Sequence, residues 1–201
     1  MCNETYPVLN GFSDLSKLHL LSSPISTSVN KCLEIIKTLQ SVPGRMQRVD
    51  QYNIFIDYAH NPDALKKVLE TTKHGVRGKG RVIVVFGCGG DRDKGKRAIM
   101  GQVAQQFSDI AIITDYNPRS EDPNVIRASI AEHCLKGINI GGRDLAIEYA
   151  VKQMKEGDIL LIAGKGHEKS QILADKTIEF DDYLMAKTYA DKYLESVINF
   201  V

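Results

Sequence analysis

The stretch VIVVFGCGGDRDKGKRAIM, residues 82–100, decides the fold. It opens with a continuous run of β-branched and aromatic residues, 82–86, which is typical of a strand buried on both faces of a parallel sheet. A glycine-rich turn follows, and apolar residues then recur at helical spacing at Ile99, Met100, Val103, Ala104 and Phe107. The stretch therefore predicts a strand, a turn and an amphipathic helix in direct succession.

The same alternation continues along the chain from Gln47. Similar apolar runs at 54–56, 110–113 and 159–162 predict three more buried strands, with helical segments between them. This order of elements predicts an α/β fold with a Rossmann-like, doubly wound and mostly parallel sheet.

Local signals mark where helices begin and how the chain ends. Asn61-Pro62 and Asp122-Pro123 each place a capping side chain before a proline at the first helical position. Residues 171–180 predict a hairpin about Ala174-Asp175-Lys176, and residues from about Asp182 to Val197 predict a closing helix.

Residues 1–42 follow another pattern, with Ser and Pro clusters and one predicted helix at about 29–39. These residues include too few apolar side chains to bury a core of their own. We therefore expect 1–42 to be an N-terminal arm and 43–201 to be the folded domain.

Composition excludes several classes of protein. The 201 residues carry 26 Lys and Arg against 25 Asp and Glu, a net charge of +1, which gives no reason to expect nucleic acid or an anionic membrane as a partner. The four cysteines show no metal-ligand or disulfide spacing, so we expect no metal site and a reducing, cytoplasmic location: Cys2, Cys32, Cys88 and Cys134.

Chemistry-bearing residues follow each predicted strand. In a doubly wound sheet, ligands bind at the carboxyl ends of the strands. Four such ends are rich in Gly, Asp, Arg and His, namely 57–60, 87–97, 114–119 and 164–168. Loop composition alone does not readily account for four such ends.

The segment 87–97 is nearly a P-loop, because Gly90 is followed by Gly95-Lys96 at the right spacing. Arg97, however, stands where a Ser or Thr hydroxyl would hold Mg²⁺, and two aspartates would bring negative charge to an anionic triphosphate. We therefore reject the P-loop interpretation in favour of one in which Arg92 binds a carboxylate and its acidic neighbours orient the basic side chains. A plain glycine-rich turn is the alternative.

The other three strand ends add ligand candidates. Because Asn61 is the natural helix cap, Asp57 is expected to be free for a ligand hydroxyl, and His60 beside it is as often structural as functional. Asn117-Pro118 is expected to stiffen the loop that carries Arg119, which is otherwise an ordinary surface arginine.

Gly164 and Gly166 permit close backbone approach to a ligand, and Glu168 offers a carboxylate to an ammonium group. Carboxylate-binding arginines together with an ammonium-binding glutamate suit a zwitterionic amino acid.

At these residues the chain resembles the C-terminal domain of the Mur ligases. The similarity, in order and spacing, lies in PGRMQRV (43–49), DYAHNPDAL (57–65), GCGGDRDKGKR (87–97), YNPR (116–119) and GKGHE (164–168). Within the family these segments are most similar to the MurE type, which adds meso-diaminopimelate to UDP-MurNAc-L-Ala-D-Glu in peptidoglycan synthesis. The resemblance covers roughly residues 30 to 200.

The resemblance implies roles for particular residues. Those expected to hold diaminopimelate are Arg92, Asn117, Arg119, Gly164 and Glu168. Those expected to complete the ATP site are Arg45, Asp57, Tyr58 and His60. In such ligases ATP forms an acyl phosphate that the amine attacks, and Mg²⁺ stabilises the phosphoryl oxygens.

The sequence departs from the family in two ways. Tyr116 stands where the family has an aspartate, which should weaken amino-acid binding unless Asp115 substitutes, whereas Arg119 still favours diaminopimelate over lysine. No phosphate loop like that of the family's ATPase domain occurs in the sequence either, so we expect the nucleotide-sugar and ATPase domains to be missing, and residues 30–42 resemble the last helix of that ATPase domain.

Three hypotheses follow. In the first, this chain is a truncated ligase domain, without catalytic residues of its own and inactive alone, that meets ATP and the UDP-MurNAc-dipeptide through missing domains. In the second, it is a stand-alone module that binds diaminopimelate or a muropeptide. The third is an independent P-loop NTPase, which the segment 87–97 disfavours.

Overall fold

The computed structural model describes residues 42–76, 78 and 80–198, with side chains to 194. Its strands are β1 Gln47–Arg48, β2 Ile54–Asp57, β3 Val82–Phe86, β4 Ile110–Ile113, β5 Gly137–Asn139, β6 Ile159–Ala163, β7 Ser170–Ile172 and β8 Thr177–Glu179. Its helices are α1 Pro62–Gly75, α2 Gly95–Phe107, α3 Pro123–Ala131, α4 Arg143–Gln153 and α5 Asp182–Ile198. The arm 1–42 and its helix at 29–39 fall almost wholly outside the described residues.

Six strands form one sheet in the order β1-β2-β6-β3-β4-β5. Five of them are parallel, and β1 pairs antiparallel with β2 at the edge. The predicted α/β class, the four predicted strands, the hairpin β7–β8 and the closing helix are confirmed. Two short edge strands, β1 and β5, were not predicted, because neither contains an apolar run.

The strands are covered on both faces by helices. Along β3, Val82, Val84 and Phe86 face a core cluster formed with α1, α2 and α3, whereas Ile83 and Val85 face a second cluster formed with α4 and α5. This period of two explains why the run is continuous rather than alternating, since both faces of the strand are buried.

Both predicted helix starts are capped as expected. The Asn61 side chain accepts a hydrogen bond from Ala64 N, and the Asp122 side chain accepts one from Asn124 N. In each helix a proline follows the cap. Each cap begins a helix directly after a strand-end loop and so fixes where that loop ends.

A buried ion pair ties the second helical layer to the sheet. Arg143, the first residue of α4, donates from Nε and Nη2 to the two carboxylate oxygens of Asp182, at 2.7 Å each, and neither side chain is exposed. The same guanidinium donates to the carbonyl oxygen of Ala163, at the end of β6, at 3.0 Å. The pair therefore joins the starts of α4 and α5 to the carboxyl edge of the sheet.

Among the described residues, no helix is long and apolar enough to cross a membrane.

Replacing Arg143 by methionine should strongly destabilise the chain, because Asp182 would remain buried without its partner. We expect a loss of about 3–5 kcal/mol in the free energy of unfolding, measured by urea denaturation. Replacing both residues, as Arg143→Met with Asp182→Leu, should recover part of this loss, since no buried charge is then left unpaired.

The matched control is Lys187→Met, which removes a half-exposed lysine paired with Asp50 at 2.6 Å. Solvent screens that pair, so the loss should be much smaller. Equal losses for Arg143→Met and Lys187→Met would contradict the role given to the buried pair.

Candidate functional site

The loops that follow β2, β3, β4 and β6 meet at the carboxyl edge of the sheet. The loop after β3 is bound to the loop after β4, because Gly90 N donates to Asn117 O at 3.0 Å and Asp91 N donates to Glu121 Oε1 at 2.7 Å. These two loops are thus joined by hydrogen bonds and are not independent of each other.

Glu168 is the centre of the hydrogen bonds at this edge. The Tyr116 hydroxyl lies 3.1 and 3.2 Å from the two carboxylate oxygens of Glu168, so its single proton makes one bifurcated hydrogen bond. Asn117 Nδ2 lies 3.3 Å and Lys165 Nζ 3.4 Å from Oε2, and the Tyr58 hydroxyl lies 3.4 Å from Oε1. Three of the four segments singled out by sequence therefore converge on one carboxylate.

Lys165 belongs to this cluster, although its role was not predicted. Its side chain is fully buried, and Nζ bonds Ser170 O and lies 3.4 Å from Asn117 Oδ1. Nζ also lies 5.3 Å from the centre of the Tyr116 ring. Burial, and then the charge of Arg143, lower the pKa of Lys165. The only signal in the sequence was its place between two glycines after a strand.

Arg119 and Asn117 lie side by side on the loop after β4. Arg119 Nη1 donates to Gly90 O at 2.9 Å and lies 3.4 Å from Asn117 O, while Arg119 N donates to Ile172 O. Asn117 is buried, and its Oδ1 accepts from Ile172 N at 3.0 Å. Asn117 thus connects Arg119 to Glu168 and to the hairpin. A guanidinium has five N–H donors, so these bonds leave donors for a ligand carboxylate.

Arg92 lies on the same edge but is exposed, and its Nη1 donates to the carbonyl oxygen of Asp91 at 3.2 Å. The expectation that neighbouring carboxylates orient the basic side chains of this segment is wrong for the two aspartates. Asp91 accepts from the backbone and hydroxyl of Ser120, and Asp93 accepts from Gly95 N at 2.8 Å. Both carboxylates shape the loop instead.

The contacts at the start of α2 leave few free hydrogen-bond donors for a phosphate. Lys96 Nζ donates to the carbonyl oxygen of His60 at 3.0 Å, and the Asp93 carboxylate already occupies Gly95 N. Arg97 is buried against Glu121, with Nη2 2.9 Å from both carboxylate oxygens. This geometry argues against a P-loop, in agreement with the sequence-based rejection.

The residues expected at the ATP side lie around the Tyr58 ring. The guanidinium carbon of Arg45 is 4.9 Å from the ring centre, and the His60 ring packs edge-on at 4.7 Å. The His167 ring lies 5.2 Å from the same centre. The Tyr58 hydroxyl reaches Glu168, so the two predicted groups of site residues share this side chain.

Asp57 is not free, contrary to expectation. Its Oδ2 accepts from Met46 N at 2.8 Å and its Oδ1 from Ala59 N at 2.9 Å. Burial raises the pKa of Asp57, and the two backbone bonds oppose that rise. Asp57 therefore holds the loop after β2 against the segment that carries Arg45. The contact with Met46 N spans eleven residues, which no local pattern reveals, whereas Ala59 N is only two residues away.

Close backbone packing explains why glycine is found at two positions of this edge. Gly164 has φ of +117°, a conformation that side chains rarely adopt, and a Cβ there would touch the Tyr116 ring at 3.5 Å. At Gly44 a Cβ would lie 2.2 Å from His167 N. The segment before β1 therefore packs directly on the loop after β6, and Gly164 brings the backbone of that loop under Tyr116.

Asp115 does not take the place of the missing family aspartate. Its Oδ1 is paired with Arg127 and its Oδ2 accepts from Gly142 N at 2.8 Å. This carboxylate therefore joins β4 to α3 and to the start of α4, while Tyr116, the next residue, contacts Glu168.

Comparison with known proteins identifies the family. Residues 44–166 match the model described as Mur ligase, glutamate ligase domain. The chain is 50% identical over 160 residues to the UDP-N-acetylmuramoyl-L-alanyl-D-glutamate–2,6-diaminopimelate ligase of Rickettsia felis, covering 79% of this chain and 30% of that protein. To the ligase of the same name from Rickettsia conorii it is 45% identical over 184 residues, covering 90% and 38%.

A solved structure of a ligase with this name superposes with a TM-score of 0.71 at 36% identity, covering 86% of this chain and 36% of that one. The chain thus spans about a third of the length of the relatives that it matches. Since the family model covers more than half of the sequence, the chain belongs to the Mur ligase family and carries its glutamate ligase domain.

Proposed function

We propose that this chain is the diamino-acid-binding part of an ATP-dependent ligase that adds meso-diaminopimelate to UDP-MurNAc-L-Ala-D-Glu. The proposal rests on contacts at the carboxyl edge of the sheet. Arg119 Nη1 lies 3.4 Å from Asn117 O, and Asn117 Nδ2 lies 3.3 Å from Glu168 Oε2. Relatives named as 2,6-diaminopimelate ligases, 45–50% identical to this chain, support the same substrate.

The proposed roles follow from charge. Arg119, helped by the exposed Arg92, binds the distal carboxylate of diaminopimelate, because a guanidinium fork matches a carboxylate. Glu168, with the backbone at Gly164 and the amide of Asn117, lies at the distal amino end. Lysine has no distal carboxylate, so Arg119 favours diaminopimelate over lysine.

ATP is proposed to bind where Arg45, Tyr58 and His60 cluster. Arg45 is exposed and lies over the Tyr58 ring, so its charge is available to a phosphate. Asp57 retains acceptor capacity for a ribose hydroxyl, since a carboxylate offers about four lone-pair sites and two are used here. We assign it chiefly to holding the loop.

Mg²⁺ does not fit the residues present. In the part of the chain that the structure describes, no group of three or more His, Cys, Asp or Glu side chains could hold a metal ion. Mg²⁺ is proposed to be held mainly by the regions that the relatives have beyond the matched segment. Phosphorylation of the acceptor carboxyl is proposed to require the regions that the relatives have beyond the matched segment.

Replacing Arg119 by alanine should weaken diaminopimelate binding by about 1.5–3 kcal/mol, roughly 10- to 150-fold in Kd, because a charge-assisted pair is lost. Isothermal calorimetry on the 201-residue chain measures this. Lysine binding should change little, because lysine has no second carboxylate to pair with Arg119.

The matched control is Lys94→Ala, which removes a positive charge from the neighbouring loop, where Lys94 lies 3.5 Å from Glu121 and is 71% exposed. Diaminopimelate binding should change little in this variant. An equal loss of lysine and diaminopimelate binding in Arg119→Ala would contradict the role of Arg119.

The chain alone should not turn over its substrates. With ATP, Mg²⁺, UDP-MurNAc-L-Ala-D-Glu and diaminopimelate present, we expect phosphate release at the background rate, because no phosphate loop occurs in the sequence. Phosphate release that rises with chain concentration and is abolished by Lys96→Ala would instead support the independent NTPase. Diaminopimelate binding without turnover fits both the ligase domain and a stand-alone binding module.

A further inference from the structure

Glu168 already has as many hydrogen-bond donors as its carboxylate can use. Tyr116, Asn117, Lys165 and Tyr58 all reach it, at 3.1–3.4 Å. A carboxylate has about four lone-pair sites. A ligand ammonium that binds Glu168 must therefore displace one of these internal donors.

Among these donors, Tyr116 makes the closest contact with the Glu168 carboxylate. Its hydroxyl gives the shortest contacts and reaches both carboxylate oxygens, whereas each other donor reaches one. The residue is only 8% exposed, a Cβ at Gly164 would lie 3.5 Å from its ring, and Lys165 Nζ lies 5.3 Å from the ring centre. The ring is thus fixed, and the hydroxyl cannot leave Glu168 without moving a buried side chain.

The hydroxyl is also a permanent donor. Burial, and then the charge of Glu168, raise the pKa of Tyr116 above its usual value, so the phenol keeps its proton at neutral pH. Lys165 adds a second fixed group beside Glu168, at 3.4 Å from Oε2. Both side chains donate to the Glu168 oxygens that the ammonium of a ligand would use.

We infer that Tyr116 is a specificity-determining residue, because its hydroxyl binds the Glu168 carboxylate in place of a ligand ammonium. This site therefore selects ligands by their distal carboxylate and not by their distal ammonium. The inference rests on the proposed function. The substrate class is accordingly wider than diamino acids: seven-carbon 2-amino dicarboxylic acids bind about as well as meso-diaminopimelate, and lysine binds poorly.

The experiment compares two ligands that differ only in the distal amine. Calorimetry of the 201-residue chain with meso-diaminopimelate and with 2-aminopimelate should give Kd values within about threefold of each other. In Tyr116→Phe the ring remains but the hydroxyl is lost, so Glu168 becomes available to an ammonium. Preference for diaminopimelate should then rise about tenfold, as expected for a hydrogen bond to a charged group.

The matched control is Tyr183→Phe, which removes a phenol hydroxyl that donates to another carboxylate, that of Asp50, at 2.6 Å. This variant should keep the wild-type ratio of the two Kd values. Urea denaturation of both variants establishes that they are folded before their affinities are compared.

The outcomes separate the two proposals. If both ligands bind and the wild type already prefers diaminopimelate tenfold, or if Tyr116→Phe leaves the ratio unchanged, the inference about Tyr116 is overturned and the proposed function stands. If neither ligand binds to the wild type or to Tyr116→Phe, the proposed function itself fails, and the inference fails with it.

Discussion

The buried guanidinium of Arg143 connects the scaffold to the site. It donates hydrogen bonds to Asp182 at the start of α5 and to the carbonyl oxygen of Ala163 at the end of β6. It also lies 3.4 Å from the carbonyl oxygen of Asp115, after β4. The loops that carry Glu168 and Tyr116 begin at these two strand ends. A buried charge is tolerated only when it is paired, so this geometry fixes two strand ends and two helix starts together.

The fold could be predicted because its determinants are local. A continuous apolar run such as 82–86 already indicates burial on both faces, and Asn61 and Asp122 mark helix starts through neighbouring residues. The general location of the site also followed, since parallel strands end on one edge. The two short edge strands could not be predicted, because they contain too few apolar residues to form a pattern.

The partners of charged groups could not be predicted, because they are distant in sequence. Arg143 and Asp182 are separated by 39 residues, and Tyr116 and Glu168 by 52. Asp57 seemed free in the sequence because one of its two donors, Met46 N, is eleven residues away and precedes β1. Each of these pairings depends on which loops meet, and composition gives no information on that.

A site that offers a carboxylate to a ligand must also hold that carboxylate when no ligand is there. The side chain of Glu168 is 28% exposed, and leaving it without partners at this depth is unfavourable. An aspartate at position 116 would add a like charge beside it, whereas the Tyr116 phenol shares its one proton between the two carboxylate oxygens without altering the net charge. The tyrosine therefore stabilises the Glu168 carboxylate, and this shared hydrogen bond is what a ligand ammonium has to replace.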